Sequence, residues 1–177
     1  MKQAVTLTSL GTSVFEKALV NIRGTYAHLA CNYPPGTMTP WLPDNFRGQA
    51  TLELSNRYLM LRQHQQPSPV VPFQHGVDPN NVLACLAGDQ YNHLEENRVI
   101  YYRMNAKYSK YVDNNSMTAR LMHTPRFLIN EPSIFQIGDL VEANFSIVAF
   151  PVNKTMHHMQ MALRTLALVN GEQAMVC

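Results

Sequence analysis

Residues 135–172 read FQIGDLVEANFSIVAFPVNKTMHHMQMALRTLALVNGE. Gly138-Asp139 supplies a turn, and the run after it alternates. Val141, Ala143, Phe145, Ile147 and Ala149 fall on one face of a strand, with Glu142, Asn144 and Ser146 on the other. Pro151 ends that run, because it has no N–H to give to a ladder. Residues 152–155 are a hairpin-length connection. Residues 158–169 then fit two periods. Met159, Met161, Leu163, Thr165 and Val169 alternate as a strand does, whereas Met156, Met159, Leu163 and Leu166 form a helical stripe, and the residue types favour helix. A strand through the 140s needs a neighbour, and consecutive strands are usually adjacent, so the segment is read as the second arm of a hairpin.

Upstream, the β signal begins at residue 98, where Val99, Tyr101 and Arg103 alternate with Ile100, Tyr102 and Met104. Asn105-Ala106, 113–116 and 130–132 are turn candidates. Asp78-Pro79 marks a helix start, with Val82, Leu83 and Leu86 as its buried stripe and Gly88 as its end. Near the N-terminus, residues 3–9 make a first strand. Ser13 and Glu16 have capping-box spacing ahead of Val14, Phe15, Ala18, Leu19 and Ile22, so a short helix is expected over about 13–23, stopped by Gly24. Residues 32–47 are an irregular loop anchored by Tyr33, Trp41 and Phe46, and 49–62 hold one or two strands broken at Ser55-Asn56. Pro67, Pro69 and Pro72 exclude a central strand over 63–73.

These elements predict a mainly β fold, a small barrel or sandwich with two short helices, with an OB-like barrel among the options. At 177 residues with 46% hydrophobic composition, one domain over 1–177 can bury a core. Its 1–76 part reads as irregular apart from the 13–23 helix, and 77–177 as the β-rich core. Charged residues are only 15%, well below the usual quarter, so the surface is expected to be neutral-polar or partly covered by a partner, and a homo-oligomer is expected. Ten methionines support the same reading, with Met104, Met117, Met122, Met156, Met159 and Met161 forming an adaptable contact surface or an irregular core.

Charge is unevenly placed. Residues 98–126 carry Arg98, Arg103, Lys107, Lys110, Arg120 and Arg126 against Asp113, a local net of +5 in a chain of net +2, which leaves −3 elsewhere. The same tract holds Tyr101, Tyr102, Tyr108 and Tyr111. Cations neutralise phosphates and ring faces stack on bases, so Tyr101, Tyr102, Arg103, Lys107, Tyr108, Lys110 and Tyr111 are the expected contacts to single-stranded DNA or RNA. On a strand Tyr101 and Arg103 share one face and Tyr102 and Met104 the other, so half of these side chains serve any one platform. The competing explanation is that tyrosines favour strands and lysines decorate a solvated hairpin.

Two stretches, 77–102 and 135–170, resemble a group of uncharacterised proteins from mushroom-forming fungi. The resemblance rests on Asp78-Pro79 with the helix after it, on His93 to Tyr102, on Gly138 to Glu142 and on Leu163 to Leu168, about half the chain. It implies an intracellular fungal origin and a strand at 158–169. It carries no activity and no site residue.

Catalytic, metal and cofactor motifs are missing from the sequence. His157 and His158 are adjacent and face opposite ways on a strand, and His28, His64, His75, His93 and His123 are scattered without chelating spacing. Cys31, Cys85 and Cys177 make no C-x-x-C pair, so free thiols of a reducing compartment are expected, Cys85 as a buried structural one. The eight glycines form no phosphate loop. His93 with Glu95 and Glu96 is the one acid/base set an enzyme could use. No secretory signal and no apolar span of about 20 residues is read, so an intracellular protein, cytoplasmic or nuclear, away from membranes is expected.

Overall fold

The computed structural model describes residues 1–9, 11–64, 68–105 and 126–170. Of the described chain 41% is strand and 22% helix, so the protein is mainly β. Chain order is β1 (Lys2–Thr8), α1 (Ser13–Ala30), β2 (Asp44–Phe46), β3 (Gln49–Arg57), β4 (Met60–Leu61), α2 (Val82–Ala87), β5 (Tyr91–Asn92), β6 (Ile100–Met104), β7 (Phe127–Ile129), β8 (Leu140–Pro151) and β9 (His157–Asn170). They form a three-stranded sheet in the order β1-β3-β2, a two-stranded β4-β5 sheet, and a four-stranded sheet in the order β7-β6-β9-β8. No barrel closes among the described residues.

The chain divides into two compact units, neither continuous in sequence. One comprises Met1, 57–144 and 164–177; the other comprises 2–56 and 145–163. The β8–β9 hairpin supplies residues to both. So 1–76 is not an irregular part of its own. Residues 2–56 supply a sheet and the longer helix of the second unit, and 57–76 belong to the first.

In that second unit α1 runs to Ala30, well past Gly24. A glycine in a helix interior costs about 1 kcal/mol but does not end a helix whose apolar face continues. Leu19 and Ile22 are buried, and Tyr26 and Leu29 extend the stripe at half burial. The first turn differs from the sequence expectation. Thr12, not Ser13, is the N-cap, and no side chain caps it. A Cβ at Gly24 would meet nothing within 4 Å. Gly24→Ala is therefore expected to stabilise the protein by about 1 kcal/mol, read as a higher urea midpoint at unchanged slope.

β2 and β3 pair antiparallel, with Phe46 opposite Gln49 across the Arg47-Gly48 turn. Both turn residues have positive φ, 52° and 82°, the geometry of the tight hairpin turns that match strand twist. β3 runs unbroken through Ser55-Asn56. These two residues read as a break because they are turn formers, but both are buried and bonded to β9. Asn56 Nδ2 donates to the Leu163 carbonyl at 3.2 Å, and Gln160 Nε2 donates to Ser55 Oγ at 2.9 Å. This ties the three-stranded sheet to β9 in a sandwich-like contact. Leu52, Leu54, Met159, Met161 and Leu163 are buried in this unit. The two methionines are thus core rather than contact surface, while Met117 and Met122 lie outside the described residues.

In the first unit β6 lies between β7 and β9. It pairs antiparallel with β7, Tyr102 opposite Ile129 and Arg103 opposite Leu128. It pairs parallel with β9, Tyr101 beside Leu166 and Tyr102 beside Ala167. The strand reading of 158–169 holds. β9 is interior to its sheet, and Met161, Ala162 and Leu163, then Leu166, Ala167 and Leu168, are buried as runs. A strand covered on both faces is apolar on both faces, which erases the alternation. α2 starts later than expected, at Val82. Asp78 lies three residues ahead of the N-cap Asn81, and its Oδ2 accepts from Ala84 N at 2.9 Å. Helix α2 has no buried residue: Val82 and Leu86 are each 55% exposed, and Cys85 is exposed rather than buried.

Candidate nucleic-acid interface

β6 and β7 bring Tyr102 and Arg126 of the basic tract together with Phe127. The Tyr102 and Phe127 rings sit 6.3 Å apart, and the Arg126 guanidinium stands 4.7 Å over the Phe127 ring. The hairpin register explains the first contact, because Tyr102 and Phe127 flank the same rung of the ladder. Asn105 N donates to the Arg126 carbonyl at 2.9 Å, which extends the pairing one step beyond Phe127. The guanidinium plane over an aromatic face is a favourable cation–π pair. Arg126 also forms an ion pair with Glu142 of β8 at 3.1 Å. Tyr102 is half-buried, and Arg103 and Arg126 are exposed.

Tyr101 belongs elsewhere. It is 6% exposed, its ring lies 5.8 Å from Phe135, and its register partner Leu166 is buried. Burial pushes its phenol well above the ordinary range, with the nearby Tyr58 adding to the effect. It is a core residue, and of the expected set the candidate face keeps Tyr102; Arg103 is exposed but alternates to the opposite face of β6. Lys107, Tyr108, Lys110 and Tyr111 lie outside the described residues. Sequence reading counted Arg126 as charge alone and passed over Phe127. The signal was the Arg-Phe dipeptide at the start of a strand, which means little until the β6–β7 register is known.

His93, the sequence candidate for acid/base work, is a structural histidine. It is 7% exposed and stacks on Phe73, with centroids 4.1 Å apart and planes 21° apart. Nδ1–H donates to the Tyr58 carbonyl at 2.7 Å, which sets the tautomer. Around it, Val71 N donates to the His93 carbonyl at 2.9 Å and Glu95 N to the Pro69 carbonyl at 3.0 Å. The carboxylate of Glu95 turns to Arg98, 3.5 Å away, and the Glu96 carbonyl accepts from Arg164. Arg98 further donates to the Gln74 amide oxygen at 2.7 and 2.9 Å. The constellation fastens 68–73 and 91–98 together.

Burial lowers the His93 pKa, against the raising effects of the Tyr58 bond and Glu95, with Arg98 adding to the fall. A histidine with a depressed folded pKa is neutral in both states above about pH 6.5 and contributes no pH dependence there. As pH drops below that value the unfolded chain takes up the proton first, so stability falls until the folded pKa is passed. Urea midpoints measured from pH 7.5 to 5 should show this loss, and His93→Gln should flatten it.

Among the described residues no group of three histidine, cysteine or carboxylate side chains can hold a metal ion. His157 packs against Tyr33 and His158 against Phe150, with centroids 4.5 and 5.7 Å apart, so each ring has its own neighbour. Cys31 and Cys85 are free and exposed. Among the described residues no helix is long and apolar enough to cross a membrane. Comparison with protein-family models, curated proteins and solved structures found no match. The site holds two rings, the exposed Arg126 cation and one carboxylate, an arrangement suited to holding an anion beside a flat apolar group.

Proposed function

We propose that this is a non-enzymatic binding protein that takes single-stranded DNA or RNA on the basic, aromatic face built around β6 and β7. The Tyr102–Phe127–Arg126 array is the observation that carries the reading. Stacking of a base on an exposed ring is sequence-tolerant and contributes about 1–3 kcal/mol, and arginine adds a phosphate contact. In sequence the tract 98–126 that contains Tyr102 and Arg126 carries a net of +5, which favours a polyanionic partner. By sequence, Lys107, Tyr108, Lys110 and Tyr111 join the same tract. Two free exposed thiols suit a reducing, intracellular setting, cytoplasmic or nuclear. Tyr102→Ala is expected to weaken binding of a fluorescent single-stranded 20-mer about tenfold by anisotropy. Unchanged affinity in that variant would count against the reading.

A second reading is favoured by a separate observation. Ile137 is 98% exposed, Ile129 71%, Leu140 51% and Leu128 47%, all in the first unit. Large exposed aliphatic side chains suit a contact between copies of this chain. This homo-oligomer reading predicts a particle whose mass by light scattering exceeds one chain and does not change with salt.

A further inference from the structure

We infer that Glu142 is a built-in competitor at the anion site of Arg126, and that a phosphate of the bound strand takes its place. This rests on the nucleic-acid reading above and adds its regulation. Arg126 stands one residue before β7, and Glu142 is on β8, so the pair links the two edges of the β7-β6-β9-β8 sheet. Neighbouring strands lie about 4.8 Å apart, which puts the edges of a flat four-stranded sheet about 14 Å apart. The ion pair closes that span at 3.1 Å.

The two side chains remain 48% and 44% exposed. An ion pair that open is weakly held in water and exchanges readily for another anion. The guanidinium, by contrast, has a second anchor in the Phe127 ring. When Glu142 leaves, Arg126 keeps its place beside Phe127 and Tyr102, and the departed carboxylate marks where an anion sits. Carboxylate and phosphate oxygens present similar acceptors to the planar arginine fork. A nucleotide offers both halves of what this site takes, a phosphate for Arg126 and a base for the accessible ring of Tyr102.

The test is anisotropy of the full chain with a fluorescent single-stranded 20-mer between about 50 and 200 mM salt, using wild type, Glu142→Gln, Arg126→Gln and the double variant. Glu142→Gln should bind about two- to fivefold tighter. Its salt slope should match wild type, because the same phosphate is neutralised in both complexes. In the Arg126→Gln background the gain in affinity should vanish and the slope should flatten by about 0.7. A gain of equal size without Arg126, or from Glu131→Gln on another exposed carboxylate, would mean a diffuse charge effect and overturn the inference. Wild type that binds while Glu142→Gln binds no better removes Glu142 from this role and leaves the proposed function standing. No binding by wild type or Glu142→Gln removes both.

Discussion

Leu163→Ala will lower the free energy of unfolding by about 3 kcal/mol, and Leu140→Ala by no more than about 0.5 kcal/mol. Both residues sit on the same hairpin and are chemically identical. Leu163 is 1% exposed on β9, and Leu140 is 51% exposed at the start of β8. Truncating a leucine in a closed interior loses its transfer free energy and leaves a cavity, whereas truncating one in water loses neither. A domain of ordinary stability has about 5–15 kcal/mol in total, so the first variant will stand close to unfolding at physiological temperature. Urea midpoints at constant slope measure the difference. A Leu163→Ala loss below about 1 kcal/mol would mean that β9 is not an interior strand.

Affinity for a single-stranded 20-mer will fall about 50-fold between 50 and 200 mM salt if four phosphates are neutralised, from a slope of about −0.7 per phosphate on single strands. Six cations against Asp113 in 98–126 make four contacts a modest demand. The homo-oligomer reading predicts no such dependence, because burial of Ile129 or Ile137 releases water rather than counterions. The same titration therefore separates the two readings without any variant.

Much of the β architecture was legible where water lies on one side of a strand. β8 alternates because one face of its first half meets water, with Leu140, Glu142 and Asn144 exposed and Val141, Ala143 and Phe145 half-buried, and Gly138-Asp139 announces its start. Asp139 Oδ2 accepts from Gln136 N at 2.7 Å, and Gly138 takes a φ of 96° that suits glycine. β9 was ambiguous for the opposite reason, since a strand covered on both faces has no period to read. Ser55-Asn56 misled because local propensity sees turn formers, while their partners Gln160 and Leu163 are more than a hundred residues away in sequence. α1 outran Gly24 because the stripe through Tyr26 and Leu29 outweighs one glycine. Asp78-Pro79 was read as a helix start, but the Asp78 cap acts at longer range than the usual box. The site was legible as composition only. Alternation put Tyr101 and Tyr102 on opposite faces but did not say which one faces water. Alternation put Glu142 on the polar face of β8, and its pairing with Arg126 depends on a strand order that the sequence does not encode locally.

The central claim, that a single strand lies on the face of Tyr102, Phe127 and Arg126, is tested most directly by photo-crosslinking a single-stranded oligonucleotide to the full chain and mapping the attachment by tryptic mass spectrometry. Cleavage after arginine and lysine separates the peptide 99–103, with Tyr102, from 127–154, which begins at Phe127. The account predicts crosslinks in these two peptides at Tyr102 or Phe127, lost when the salt is raised. Crosslinks confined to residues 2–56, or none from an oligonucleotide that demonstrably binds, would contradict it.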